Sequence, residues 1–188
     1  MLTIYIDFKS AASYLAFEPT LALIEKTGVE ALWHPFSSRP FRIPVEQPDE
    51  TVGDRHRRVR AIAQRDAHLH YAEVQNLEMQ FADKPRGSDA ALAALAVIKG
   101  DPVFFIRAVF KAYWADHADL EDQAVVAQIL DDCGCEQPDW PDAFGKLATI
   151  REQGDELKVF ETPTYLIDNQ IFLGREHLPW IKSIIVAN

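Results

Sequence analysis

Leu2, Ile4, Tyr5 and Ile6 crowd into the short run Leu2 to Phe8 before Lys9 and Ser10 interrupt it, which is the pattern of a buried strand. Apolar positions then recur with helical spacing at Tyr14, Leu15, Leu21, Leu23 and Ile24. That predicts a helix capped by the Ser10 hydroxyl and ended by Gly28, with Pro19 removing one internal hydrogen bond. Val29 to His34 reads as a second strand running into a loop that carries Pro35, Pro40, Pro44 and Pro48. From about Val52 to Leu147 the pattern is helical. It predicts helices over Arg55 to Val74, over Asp89 to Ile98 with Ser88 as cap, from Pro102 through Trp114, and over Asp122 to Asp132. A charged helix near Gly145 to Glu156 leads back to strand composition at Thr164 to Ile167. After a turn at Asp168-Asn169 a further strand runs from Gln170 to Leu173, so the pair reads as a hairpin. An amphipathic helix over Glu176 to Val186 closes the chain.

This order, strand, helix, strand, helical block, hairpin, helix, lets the terminal segments share one sheet with the block inserted between them. The implied division is 1–50 with 148–188 as the sheet-bearing unit and 51–147 as an inserted helical domain. A length of 188 residues with 48% hydrophobic composition is enough to bury a substantial core.

Charge narrows the partners. Twenty-nine acidic against nineteen basic residues give a formal charge of -10, which opposes nucleic-acid binding. No stretch is long and apolar enough to suggest a membrane span, and Met1 to Ile6 runs straight into Asp7 without a leader pattern, so a soluble cytoplasmic protein is expected. Two cysteines, Cys133 and Cys135, are separated by a single residue and suit a reducing compartment better than an intrachain bridge.

The candidate chemistry lies where the first strand meets the first helix. A helix N-terminus directs backbone N-H groups and a positive dipole end outward, which favours a bound anion, and Ser10 sits there as N-cap or as functional hydroxyl. Glu161-Thr162-Pro163-Thr164 precedes the hairpin, where a proline either opens the strand or sits in a cis peptide. Lys9, beside the first junction, is read as a countercharge or as a solvated lysine. Phe36 and Trp114 are read as walls of an aromatic pocket or as packing residues. The run Arg55 to Arg60 reads as a solvated helix face. His68 and His70, two positions apart on a helix, do not face one another as ligands would, and no metal is assigned.

Asp7, Ser10, Ser13, Tyr14 and Leu15, together with Val159, Phe160, Pro163 and Thr164, resemble the two halves of the active site of the 2-hydroxychromene-2-carboxylate isomerase and kappa-class glutathione transferase family. That family is a DsbA-like branch of the thioredoxin fold. Phe105, Ala108, Val109, Phe110, Ala112, Trp114 and Asp119 resemble its central helix, and Phe172 to Leu178 resembles the segment before its last helix. Ala11 and Ala12 stand where that family has a proline and an aromatic, and Lys158 and Glu161 where it has glycines. The resemblance implies an α/β, thioredoxin-like mixed sheet with a large all-helical insertion, homodimerisation, and a glutathione-dependent isomerase or transferase acting on a small aromatic electrophile. It further implies that Ser10 holds the glutathione thiolate and that Pro163 is the cis proline. The Thr162 backbone then pairs with the tripeptide, Glu176 receives the γ-glutamyl amino group, and Arg175 meets a carboxylate.

Serine cannot exchange disulfides, which requires an attacking thiolate, so the nucleophile at this site must be a bound thiol. Two other readings remain open on the residues. One is a non-redox thioredoxin-fold protein that binds a peptide or small ligand; the other is an atypical thiol-disulfide oxidoreductase working from Cys133 and Cys135.

Overall fold

A computed structural model describes residues 1–82, 84 and 86–187. Its elements in order are β1 (Leu2–Ile6), α1 (Ala11–Thr27), β2 (Ala31–Pro35), α2 (Val52–Val74), α3 (Asp89–Leu95), α4 (Val103–Trp114), α5 (Gln123–Asp132), α6 (Trp140–Glu156), β3 (Thr164–Ile167), β4 (Gln170–Leu173) and α7 (Leu178–Ala187). A short 3-10 turn, Arg175–His177, leads into α7. The sheet has four strands in the order β2-β1-β3-β4, with β1 and β2 parallel and the other neighbours antiparallel. Every residue of β1 is buried, as its mainly apolar composition, with only Thr3 polar, fits a strand covered on both faces.

The terminal segments do share one sheet. Helix α1 packs against α2 and α7, while α3 and α6 pack against β2. Leu2, Ile4, Ile6 and Phe8 lie in the same continuous core cluster as Leu92, Phe105, Phe110 and Leu130 of the helical block. Phe8, at the exit of β1, meets Phe105 and Phe110 edge-on, and its carbonyl accepts a 2.9 Å hydrogen bond from Trp114 Nε1. Tyr14 stacks on Phe110 and Trp114. The aromatic residues of α4 thereby fix the point at which β1 hands over to α1.

Helix boundaries follow local chemistry. Ser10 caps α1 by accepting from Ser13 N, and Gly28 closes it in the left-handed region at φ +66°, which a glycine adopts without a Cβ clash. Pro19 has no N-H to give Leu15 O, and Gln75 Nε2 donates to that carbonyl instead, so α1 continues past the proline. Asp168 and Asn169 both take positive φ, the geometry of a two-residue hairpin turn that matches strand twist.

Three expectations are revised. Helix α6 begins at Trp140 rather than Gly145, because Asp139 caps it and Pro141 fits its first turn. Helix α3 ends at Leu95 rather than Ile98. Ser88 occupies the N-cap position of α3 but makes no capping hydrogen bond; its hydroxyl is drawn to the Asp7 carboxylate at 2.6 Å, and a bond to a charged acceptor is the stronger one.

Phe36 is buried in a small separate cluster with Tyr5 and Val159. Gly154 lies so close to its ring that an added Cβ would stand 3.0 Å from Cε2, which accounts for a glycine inside α6. His34, edge-on to Tyr5, has a shielded Nδ1 with no hydrogen-bond partner, and burial lowers its pKa below the ordinary value. The folded state therefore binds fewer protons than the unfolded chain, whose histidines titrate near about 6.5, so stability is complete above that pH and is lost as pH falls through it. Denaturant unfolding should give a smaller stability at about pH 5 than at about pH 7. His34→Phe should reduce that difference, and an equal difference in the variant would exclude His34 as its source.

Candidate active site

Ser10 sits at the N-terminus of α1, whose first turn contains no acidic residue, so the positive end of the helix is not neutralised from within. Its Oγ accepts from Ser13 N at 3.2 Å and donates to Thr162 O at 3.0 Å. Residues 152 positions apart in sequence are thus joined by one hydrogen bond. The Thr162–Pro163 peptide bond is cis. Pro163 O in turn accepts from Gly174 N at 2.9 Å, which sets the Arg175–His177 turn beside the proline.

Two connected hollows open from this junction. A cleft of about 760 Å³ is bordered by Thr162, Pro163, Arg175 and Glu176 on one side and by Gln64, His68 and Tyr71 of α2 on the other. A pocket of about 230 Å³ contains Ser10, Lys9, Arg39 and Phe41. Ala12, Gln64, His68, Glu161 and Thr162 line both, so the pocket and the cleft adjoin. Arg175 lies over the Tyr71 ring at 4.1 Å, a cation-π contact that orients its guanidinium. The carbonyl of Thr162 is already used by Ser10, so a tripeptide pairing with this backbone must share it.

Lys9 is neither a solvated surface lysine nor a free countercharge. It is 6% exposed, and its Nζ is 2.6 Å from Asp7 Oδ2 and 3.0 Å from Ser37 Oγ. Asp7 is fully buried. Its carboxylate also accepts from Ser38 N at 2.6 Å, Ser38 Oγ at 2.8 Å, Ser88 Oγ at 2.6 Å and Lys9 N at 3.2 Å. Ser37 Oγ donates on to Asp89, which pairs with Arg151 of α6 at 2.8 Å. This network ties the exit of β1, the loop after β2 and the first turn of α3 together, starting from Lys9, the residue before Ser10.

A further cavity of about 630 Å³ is lined by Lys9 and Trp114 with Phe41, Phe81 and Tyr113, and carries Arg42, Arg65 and Lys84 at its border. Burial pushes the Tyr113 phenol up to about 12. Lys9 and Trp114 therefore reach one cavity together. Phe36 borders none of the three hollows, being taken up by Tyr5 and Val159, and is corrected from pocket wall to packing residue. Its apolar neighbours come from separate segments, which its position in the sequence does not reveal.

The sequence reading missed His68 and Tyr71 of α2 as cleft residues. Only Ala72 of that helix is buried, so no apolar stripe marked which face turns inward. The basic run at its start is spent locally, with Arg57 on Asp54 and Arg58 on Glu50. His70 points away, near Glu73. Cys133 and Cys135 are free thiols at the end of α5, and burial pushes both above the ordinary thiol value, the opposite of what an attacking thiolate needs. No helix among the described residues is long and apolar enough to cross a membrane.

A proline-bearing turn from the far end of the chain, set against the first helix of a β2-β1-β3-β4 mixed sheet, defines a thioredoxin-like α/β fold with a helical insertion. The chain belongs to the DSBA-like thioredoxin domain family, which matches residues 1–186. No curated protein matches it in sequence. Among solved structures, 2-hydroxychromene-2-carboxylate isomerase is similar with a TM-score of 0.78 and 16% identity, covering 99% of this chain and 94% of that one. A probable DsbA oxidoreductase from Streptomyces coelicolor gives 0.71 and 16% over 100% and 90% of the two chains. The cytosolic disulfide reductase DsbM from Pseudomonas aeruginosa, solved with GSH, gives 0.61 and 15% over 100% and 99%. At these identities the likeness establishes the fold.

Proposed function

We propose that this protein is a glutathione-dependent isomerase or transferase acting on a small aromatic electrophile. The observation that carries the reading is the 3.0 Å contact of Ser10 with the carbonyl before Pro163, in a pocket that adjoins a cleft bordered by Arg175 and Glu176. Glutathione laid in that cleft would present its thiol to Ser10, its γ-glutamyl ammonium to Glu176 and a carboxylate to Arg175. The Ser10 hydroxyl would turn from Thr162 O to the sulfur.

Stabilising a thiolate there needs no metal. A hydrogen bond to a charged group contributes about 1.5–3 kcal/mol and a helix N-terminus about 0.3–1 kcal/mol. Set against an ordinary thiol pKa near about 8.5, these lower it by roughly 1–3 units, enough for substantial ionisation at neutral pH. The thiolate would add to an electrophilic carbon of the substrate, permit rotation or ring opening, and leave unchanged. The adjoining aromatic cavity supports an aromatic substrate, and the cations at its border favour one that carries negative charge. A cytoplasmic setting and homodimerisation belong to the same proposal.

Calorimetric titration with glutathione tests it: binding is expected with Kd of about 0.1–1 mM. Absence of binding at several millimolar would instead favour a silent ligand-binding module, a reading supported by the two partners that already occupy the Ser10 hydroxyl.

A further inference from the structure

Among the described residues, His68 is the imidazole that borders both the cleft and the adjoining pocket where Ser10 lies. Its ring is stacked on Phe81 at 12° between planes and meets Phe41 edge-on. Its Nδ1 is shielded from solvent and has no hydrogen-bond partner. A buried imidazole nitrogen without a partner is costly, and neither tautomer is fixed by a neighbour until a ligand arrives. Ser10 and His68 line the same hollow of about 230 Å³.

We propose that His68 is the proton acceptor of this site, taking the S-H proton of the thiol as its sulfur seats against Ser10. This rests on the thiol-binding reading above and names the residue that generates the thiolate there. In the step the S-H bond breaks, the electron pair stays on sulfur, and the proton forms an N-H bond on the ring; a thiolate and an imidazolium result, and the same proton is available to the product.

Other groups at the site suit this role less well. Lys9 is an ammonium already bound to Asp7, and Arg39 and Arg175 are guanidiniums that do not accept protons. Glu161 and Glu176 are exposed to solvent, whereas an imidazole is the side chain whose basicity suits proton transfer near neutral pH. Burial, and secondarily the Arg175 charge, lower the pKa of His68, so the ring stands neutral before the thiol arrives. Once the sulfur is anionic, its charge favours the imidazolium. Tyr71, on the same helix one turn on, is held by Arg175.

Two readouts test the inference. In the wild-type protein, the His68 ring NMR signals should move from the neutral to the imidazolium position when glutathione is added at neutral pH. In His68→Gln, the bound thiol, followed by its ultraviolet thiolate absorbance, should titrate roughly 1 unit or more higher, with about tenfold less thiolate at neutral pH. If glutathione binds and forms its thiolate equally in His68→Gln, or the ring stays neutral in the wild-type complex, His68 is not the acceptor although the thiol-binding reading stands. If glutathione does not bind the wild type, both fall together.

Discussion

Replacing Asp7 by alanine should lower the unfolding free energy by about 3–5 kcal/mol, because it strands the buried Lys9 ammonium without its counterion. What remains around Nζ is Ser37 Oγ at 3.0 Å and Ser88 Oγ at 3.4 Å, and Ser88 itself loses the carboxylate it donates to. The opposite truncation should be milder. In Lys9→Met the stem is replaced by a similar apolar volume, and the Asp7 carboxylate keeps Ser38 N, Ser38 Oγ, Ser88 Oγ and its own link to Lys9 N. A loss of about 1–3 kcal/mol is expected there. Urea unfolding of both variants checks the asymmetry. Equal losses would mean that the pair acts only through its mutual attraction, and a loss below about 1 kcal/mol in Asp7→Ala would remove the network from any role in holding the Ser10 junction.

Ser10→Ala should separate the two roles of that hydroxyl. As an N-cap it satisfies Ser13 N, and losing a cap costs about 1 kcal/mol of stability. As the partner of a thiolate it is expected to do more. Removing one hydrogen bond to a charged sulfur, about 1.5–3 kcal/mol, should raise the bound thiol by roughly 1–2 units and reduce kcat/KM at neutral pH by about 10- to 100-fold. Titration of the thiolate absorbance of bound glutathione, run beside a denaturant curve, distinguishes the effects. A bound-thiol pKa unchanged in the variant, with only the small stability loss, would leave Ser10 as a helix cap and nothing else.

Helix α1 was largely readable because its signals are short-range. Ser10 accepts from a residue three positions on, and Gly28 closes the helix at positive φ. The start of α6 shows that such a signal also has to be weighed correctly: Asp139 and Pro141 stood in the chain, yet Gly145 drew the expected boundary inward. Helix α2 was legible as a helix but not as a wall of the cleft. Its apolar residues do not form a buried stripe that would orient it, and its packing against α1, with Arg175 over the Tyr71 ring, decides that His68 and Tyr71 border the cleft.

By itself the chain determined what depends on near neighbours: the buried first strand, the capped helix after it, the I′-type hairpin turn and the long helical block. Tertiary structure alone decided the environment of each charge and ring. Lys9 is buried because Asp7, Ser37 and Ser88 converge from three separate segments, and Phe36 is packed because Tyr5, Gly154 and Val159 do. Burial and hydrogen bonding are summed over everything within a few ångströms, and in a folded chain most of those atoms come from residues that periodicity and local motifs do not connect.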